Sequence, residues 1–150
     1  MASDFHARFS AIQRNYLFRL ISRRPPLILD SGLAWHVKYK LNLRSMLKAR
    51  ECLIGKHDFT TFRSTSCQSK SPIKTIDSIE INEREVPNGL ENEFLVKAPS
   101  FLHNQIRSFV GTLERVGAGR WSPLKVKTIL EKRSRSSCGP VCSPSGLYLT

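Results

Sequence analysis

Three side chains in this sequence could take part in nucleic-acid chemistry by their type and setting. Arg14 and Tyr16 alternate in a strand-like stretch, and Arg107 borders the apolar stripe of a helical one. An aromatic ring can stack on a nucleobase, and a guanidinium can pair with a phosphate or a carboxylate. Each also has an ordinary structural explanation, since a strand tyrosine usually joins a core and a border arginine usually extends its charge into solvent. Residue type alone leaves both interpretations open.

Two other groups of polar side chains are weaker candidates for chemistry. His57 and Asp58 are neighbours in a polar stretch, where such a pair is more typical of a turn than of acid–base chemistry. Cys138 and Cys142 have a C-x3-C spacing with no second pair, and the histidines lie far from them in sequence. We therefore predict neither a metal site nor a disulfide framework, and we expect free thiols.

The chain is strongly basic. Its 150 residues include 24 lysines and arginines against 12 acidic residues, which gives a formal net charge of +12. This excess repels itself in a folded domain, so a polyanion such as RNA is the favoured partner, and a merely basic soluble protein is the alternative. The apolar runs are too short to span a bilayer and no secretory leader is recognised, so we expect a cytoplasmic protein without a membrane partner.

The first half of the chain predicts a strand, a helix and a loop. Residues 12–21 carry apolar groups on both faces, which predicts an inner strand that ends before Pro25-Pro26. Asn42 is the predicted N-cap of a helix that Gly55 stops. The polar residues 56–72 have no sustained period and are predicted to form a long loop.

The second half predicts a hairpin and two helices. Two stretches of strand composition flank a Pro-Asn-Gly turn, at residues 73–81, 91–98 and 87–89. Ser100 is the predicted N-cap of an amphipathic helix that ends at Gly117, and Ser122 precedes the next helix. With a short final strand at 146–149, this order predicts an α+β fold whose largely antiparallel sheet is flanked by helices.

Six short motifs follow one another along the chain. They are DFHARFSA at 4–11, Arg14-x-Tyr16, HDFTTFR at 57–63, CQSKSPIKTI at 67–76, FLHNQIRSFVG at 101–111 and GLYL at 146–149. In this order they closely resemble the C-terminal half of the tRNA pseudouridine synthase A family, over residues 4–149. The resemblance implies half of the pseudouridine synthase fold, with residues 1–150 as one catalytic-half domain.

The resemblance implies an isomerase that needs no cofactor. Family members convert uridines of the tRNA anticodon arm to pseudouridine: a catalytic Asp attacks the flipped nucleotide, the glycosidic bond breaks, and the base turns and reattaches through carbon. By this resemblance Tyr16 lies against the target base. Arg107 pairs with the catalytic Asp and keeps it ionised, since an opposite charge at contact lowers the pKa of a carboxyl group.

The resemblance also implies tRNA contacts in three parts of the chain. They are Phe5, His6, Ala7, Arg8, Phe9, Arg14, Ser66, Cys67, Gln68, Ser69 and Lys70. Arg8 and Lys70 are the expected phosphate ligands, and such contacts position RNA without reading its sequence. Two departures are mild, since Asn15 stands where many relatives have a second arginine and Asn104-Gln105 where many have His-Met.

One residue that the family needs is not found. Its nucleophile lies in an Arg-Thr-Asp-Ala-Gly motif of the N-terminal half, whereas the aspartates of this chain, at positions 4, 30, 58 and 77, have other contexts. We therefore expect a C-terminal piece that is inactive alone and needs a separate N-terminal half as its partner, with a homodimer left open. A tRNA-binding remnant without chemistry is the alternative, and an unrelated basic RNA-binding domain is a third.

Overall fold

The computed structural model describes residues 13–64 and 71–150, in which strands and helices follow an α+β order. The strands are β1 (Arg14–Arg23), β2 (Trp35–Val37), β3 (Gly55–Asp58), β4 (Ile73–Ile76), β5 (Ser78–Val86), β6 (Gly89–Ala98) and β7 (Leu147–Leu149). The helices are α1 (Leu43–Arg50), α2 (Gln105–Gly117) and α3 (Pro123–Lys132). None of these three helices combines the length and the apolar character needed to cross a bilayer.

Strand β1 is the centre of the main sheet. It pairs antiparallel with β6 along its whole length, from Arg14 opposite Ala98 to Arg23 opposite Gly89. Because β6 occupies one edge of β1, the other edge is shared by two short strands, with β7 along the first half and the parallel strand β2 along the second. The order β2–β1–β6–β5 makes β1 an inner strand, which confirms the prediction for this segment.

One face of this sheet carries the hydrophobic core. Phe18 of β1 lies opposite Phe94 of β6, and both side chains are fully buried. Phe109 of α2 packs edge-to-face against Phe59 and Phe62, with ring centroids 5.5 and 4.9 Å apart. Fully burying a side chain of this size contributes roughly 1.5–3 kcal/mol. These rings therefore fix α2 on the rest of the domain.

The β5–β6 hairpin closes through the two-residue loop Pro87-Asn88, since Val86 pairs with Gly89. Proline supplies the fixed φ of the first loop position, and Asn88 takes the left-handed conformation with φ of 64°. A Cβ at Gly89 would lie 2.1 Å from the carbonyl oxygen of Ser22, so only glycine fits there. The predicted turn and the predicted strand at 91–98 are confirmed.

Two predicted helix starts are also confirmed. The Oδ1 of Asn42 accepts a hydrogen bond from the backbone N–H of Ser45 at 3.1 Å, which caps α1. Helix α3 begins at Pro123 directly after Ser122, where a missing N–H costs nothing. The short final strand is present as β7.

The prediction that Ser100 caps α2 is wrong. The helix begins at Gln105, and the residue before it is Asn104 in the left-handed conformation, with φ of 61°. The side-chain Oε1 of Gln105 accepts a hydrogen bond from the backbone N–H of Leu102 at 2.8 Å. This bond holds residues 102–105 in a turn that replaces the first predicted turn of helix.

The predicted loop at 56–72 and the predicted strand at 73–81 are wrong in part. Strand β3 extends from Gly55 into the predicted loop and pairs antiparallel with β4, as a separate two-stranded sheet. The 73–81 stretch divides at Asp77, after which β5 joins the main sheet.

Helix α1 ends at Arg50, well before Gly55, and β2 was not predicted at all. Strands β2, β3 and β4 are three or four residues long, and their pairing partners decide their conformation more than their own composition does.

The turn after β3 predicts a pH-dependent contribution to stability. Asp58 Oδ1 accepts hydrogen bonds from the hydroxyl and the backbone N–H of Thr60, at 2.5 and 3.0 Å. The hydroxyl bond, with the backbone bond and the charge of Arg133, holds the pKa of Asp58 below its ordinary value, against a smaller opposite effect of burial. A carboxyl group with a lowered pKa stabilises the fold above its unfolded pKa, and this contribution is lost as the pH falls through the folded pKa.

We therefore expect Thr60→Val to lower the free energy of unfolding by about 1 kcal/mol at neutral pH. The difference from the wild type should begin to shrink as the pH falls below the unfolded pKa of about 4, and it should disappear once the pH has also passed through the lower folded pKa. Urea unfolding at several pH values measures this. A difference that stays constant from pH 7 to pH 3 would assign the effect to packing of the threonine methyl group instead.

Candidate functional site

Arg14, Tyr16 and Arg107 line one cavity of about 470 Å³. Its walls come from the start of β1, from residues 101–107, which include the first turn of α2, and from Leu147 of β7. These parts are distant in sequence, and the pairing of β7 along the first half of β1 brings them together. The structure therefore unites the three side chains that the sequence singled out by residue type.

Tyr16 lies in the half of β1 that is paired with β6 on one edge and with β7 on the other. Val96 of β6 and Leu149 of β7 are its register partners. Its half-buried ring packs edge-to-face against Phe101, with ring centroids 5.3 Å apart and an interplanar angle of 84°. A ring that is held on one flank and borders a cavity is suited to contact with a flat base, because little side-chain freedom is lost on binding.

The guanidinium of Arg107 is anchored at two of its three nitrogens. Nε donates a hydrogen bond to the carbonyl oxygen of Cys142 at 2.8 Å. Nη1 donates to the side-chain Oδ1 of Asn104 at 3.2 Å. Both acceptors are neutral, so the positive charge of Arg107 is oriented without being cancelled. The third nitrogen, Nη2, makes no hydrogen bond within residues 13–64 and 71–150, which suits it to an incoming acceptor.

Residues 139–142, which we name the strap, cross α2 in direct backbone contact. A Cβ at Gly111 of α2 would lie 1.7 Å from the carbonyl oxygen of Pro140, so glycine is required at the crossing. Thr112 Oγ1 accepts a hydrogen bond from the N–H of Gly139 at 3.3 Å. The N–H of Cys142 donates to the carbonyl oxygen of Arg107 at 3.3 Å. The backbone of the strap thus contacts both the backbone and the side chain of Arg107.

The thiol of Cys142 is not an anion in this setting. Cys142 is 2% exposed. Burial raises the pKa of its thiol to about 12, although the nearby charge of Arg107 acts in the opposite direction. The thiol is therefore protonated at neutral pH and does not neutralise Arg107.

No carboxylate lines this cavity among the residues that the structure describes. Asp30 pairs with Arg19 at 3.0 Å, Asp58 binds Thr60, and Asp77 accepts a hydrogen bond from Gln13. Asp4 lies outside the described residues. The cavity is therefore lined by two arginines and by the rings of Tyr16 and Phe101, and no acidic side chain is among its described lining residues.

The remaining sequence-predicted sites are mostly outside the described part of the chain. Phe5 to Phe9 and Ser66 to Lys70, the expected tRNA contacts, fall in the ranges that the structure does not describe. His57 and Asp58 border a different cavity, of about 460 Å³, and His57 Nε2 lies 2.9 Å from the carbonyl oxygen of Ile54. Within residues 13–64 and 71–150, no three His, Cys, Asp or Glu side chains form a group that could hold a metal ion.

The anchors of Arg107 were not predicted from the sequence. Asn104 was noted only as a departure from a family pattern, and the carbonyl of Cys142 has no side-chain signal at all. One signal was available for Asn104: asparagine is the residue other than glycine that most readily takes the left-handed conformation. An asparagine directly before a helical pattern can thus mark a left-handed helix start.

Comparison with known proteins gives one consistent result. The family model described as tRNA pseudouridine synthase matches residues 49–150. The tRNA pseudouridine synthase A of Cereibacter sphaeroides (strain ATCC 17025) is 57% identical over the whole chain, and that of Paracoccus denitrificans is 58% identical. The enzyme of Dinoroseobacter shibae is 59% identical over 99% of the chain. In each comparison the chain spans 58% of the length of the relative.

Proposed function

Because this chain belongs to the tRNA pseudouridine synthase family, we propose that its cavity is one part of an active site that isomerises uridine in the anticodon arm of tRNA. The observation that carries the proposal is the shared cavity of Tyr16 and Arg107, the two residues to which the family resemblance assigns roles at the reacting base. The second part of the site, with the nucleophilic carboxylate, is proposed to come from the portion of the relatives that this chain does not span.

Each residue of the cavity has a proposed task. Arg107 holds the incoming carboxylate through Nη2 and keeps it ionised, because a contact cation lowers the pKa of a carboxyl group. Tyr16 lies against the flipped uracil. The carboxylate attacks the nucleotide and the bond from the sugar to N1 breaks; the base then turns and bonds to the sugar through C5, and the carboxylate is released. The proton on C5 is lost and N1 gains one, so the net reaction needs no oxidant, reductant or cofactor.

The positive charge of the chain serves tRNA binding in this proposal. Arg14 lines the cavity beside Tyr16, and it is proposed to contact the RNA near the reacting nucleotide. Phe5 to Phe9 and Ser66 to Lys70 are the proposed outer contacts. Residues 1–150 are proposed to act as one catalytic-half domain in the cytoplasm. A homodimer is proposed as the alternative to a monomer, and gel filtration with light scattering tests it.

The direct test is a tritium-release assay on tRNA that carries uridine labelled at C5. The chain is assayed alone, and then together with the corresponding N-terminal portion of the Paracoccus denitrificans relative. We expect release only from the mixture. Release from the chain alone would overturn the assignment of the nucleophile to another segment. If the mixture binds tRNA and releases nothing, the chain is a tRNA-binding remnant without chemistry.

A substitution at Lys70 separates binding from chemistry. Lys70→Ala removes one proposed phosphate contact, so log Kd for tRNA should depend on log salt concentration with a slope lower by about one. Single-turnover rates at saturating enzyme should stay unchanged. Filter binding at four salt concentrations measures the slope, and Lys132→Ala, on the exposed end of α3, serves as the matched control. An unchanged slope would remove Lys70 from the RNA interface.

A further inference from the structure

We infer that Asn104 and the strap are positioning elements that aim the guanidinium of Arg107 into the cavity. This inference rests on the proposed function, since it concerns how the cation of that site is held. Asn104 supplies an amide oxygen to Nη1, and the strap supplies the carbonyl oxygen of Cys142 to Nε. Neither residue is proposed to touch the substrate.

Two anchors are needed because an arginine side chain is long and flexible. Free rotation about its bonds would spread the guanidinium over many positions, and fixing a side chain of this kind costs conformational entropy. Hydrogen bonds on two separate nitrogens define the plane of the guanidinium as well as the place of its end. An acceptor that meets Nη2 then finds the group already oriented, which is the condition for efficient use of a charge in a transition state.

The chemical type of the anchors matters as much as their number. A carboxylate at either anchor would orient Arg107 equally well, but it would also compensate the charge that the nucleophile needs. An amide oxygen and a backbone carbonyl orient the guanidinium and leave a full positive charge for the incoming carboxylate. The protonated thiol of Cys142 fits this arrangement, because it adds no negative charge beside Arg107.

Asn104 is held in place by its own backbone. Its left-handed conformation, with φ of 61° and ψ of 13°, is one that asparagine tolerates better than most residues. Its carbonyl oxygen accepts a hydrogen bond from the N–H of Ser108 at 3.0 Å, in the first turn of α2. Side chain and backbone of Asn104 therefore both bind α2, and the distance from its amide to Arg107 is set within one turn.

The strap packs closely against α2 because the glycines at the crossing have no side chain. Gly111 lets the carbonyl of Pro140 reach the surface of α2, and a Cβ at Gly139 would lie 2.8 Å from Thr112 Oγ1. Both glycines have ordinary negative φ values, so close approach, not backbone conformation, requires them. An added methyl group at Gly111 must push the strap outward and draw the carbonyl of Cys142 away from Nε.

The activity test uses the mixture described above with tRNA in single and multiple turnover. Asn104→Gly keeps the left-handed backbone and removes the amide, so we expect kcat to fall about tenfold with KM and tRNA affinity unchanged. Gly111→Ala should lower kcat by a similar or larger factor. Asn104→Asp keeps the hydrogen bond but adds a negative charge, and its kcat should also fall. The control is Val126→Ala, which opens the core at a fully buried position of α3 away from Arg107 and should leave kcat unchanged.

A second readout does not depend on turnover. Solvent exchange of the Arg107 Nε–H in the 150-residue chain, followed by nitrogen-15 NMR, should be about tenfold faster in Gly111→Ala than in the wild type. It should be severalfold faster in Asn104→Gly and unaltered in Val126→Ala. If Asn104→Gly leaves both kcat and exchange unchanged, the positioning role is wrong. If the wild-type mixture has no activity while exchange responds as expected, the proposed function fails and the positioning of Arg107 stands.

Discussion

Arg107→Lys is expected to lower uridine isomerisation by about a thousandfold while tRNA binding changes less than about twofold. Lysine keeps the charge and loses the geometry, because one ammonium cannot hold the Cys142 carbonyl, the Asn104 amide and an incoming carboxylate in the directions that the guanidinium does. The magnitude follows from the cost of removing one aimed donor from a site where charge develops. Single-turnover tritium release from the mixture with the N-terminal portion of a relative measures it.

The control for this experiment is Arg120→Lys. Arg120 is an exposed residue just after α2 that lies over the ring of Tyr39, away from the cavity, so its replacement should alter neither turnover nor binding. Filter binding of both variants to unmodified tRNA completes the comparison. If Arg107→Lys weakens binding and leaves the single-turnover rate intact, Arg107 is an RNA ligand and the carboxylate has another partner.

The second large effect is expected in stability, at a buried carboxylate on the face of the sheet opposite the phenylalanines. Glu91 of β6 is fully buried. Arg19 of β1 donates to it through Nε at 2.7 Å and also pairs with Asp30. Arg84 of β5 binds its second oxygen at 2.5 Å, but the Arg84 side chain is 62% exposed. Arg19 is therefore the partner that compensates the buried charge.

Arg19→Met is expected to lower the free energy of unfolding by about 3 kcal/mol, because it leaves Glu91 buried with only a solvent-exposed partner. The methionine keeps much of the apolar stem, so the loss is mainly electrostatic. Urea unfolding of the variant measures the change. Arg24→Met, at an exposed position beyond β1, should change stability by less than about 0.5 kcal/mol.

A double variant identifies the cause of the stability loss in Arg19→Met. Arg19→Met with Glu91→Leu removes both charges, and it should be more stable than Arg19→Met alone, since a buried unpaired carboxylate costs more than an apolar pair. If the double variant is less stable than the single one, the cost of Arg19→Met comes from lost packing. The sign of this difference therefore decides between a charge effect and a cavity effect.

The main sheet was predictable from sequence where the pattern was long. β1 and β6 have ten residues each, and a run of that length with aromatic and branched residues identifies a strand on its own. The hairpin was predictable because its turn requires a left-handed residue, which Asn88 supplies, and a residue without a Cβ, which Gly89 supplies. β2 and β3 were not, because three or four residues such as Trp35–Val37 carry too little pattern and are strands only by virtue of their partners.

The candidate site was less predictable from the sequence than the main sheet was. Tyr16 and Arg107 stood out by residue type, yet ordinary structural roles explained them equally well until the family resemblance favoured one interpretation. The structure places them on one cavity, which no periodicity in the sequence could show. The anchors of Arg107 escaped notice because one is a backbone carbonyl, and the other depends on a left-handed residue where a helical pattern suggested continuous helix.

The division of one edge of β1 between β2 and β7 has a consequence for the kinetics of folding. Thr150 hydrogen-bonds to Asn15 across 135 positions of the chain, and closing so long a loop is slow compared with forming a hairpin or a helix. Leu147, which borders the cavity, belongs to β7 and pairs with Phe18 of β1 over a similarly long stretch of chain. Refolding experiments should therefore find the β5–β6 hairpin and the helices protected from hydrogen exchange well before the pairing of β7 with β1 completes the cavity.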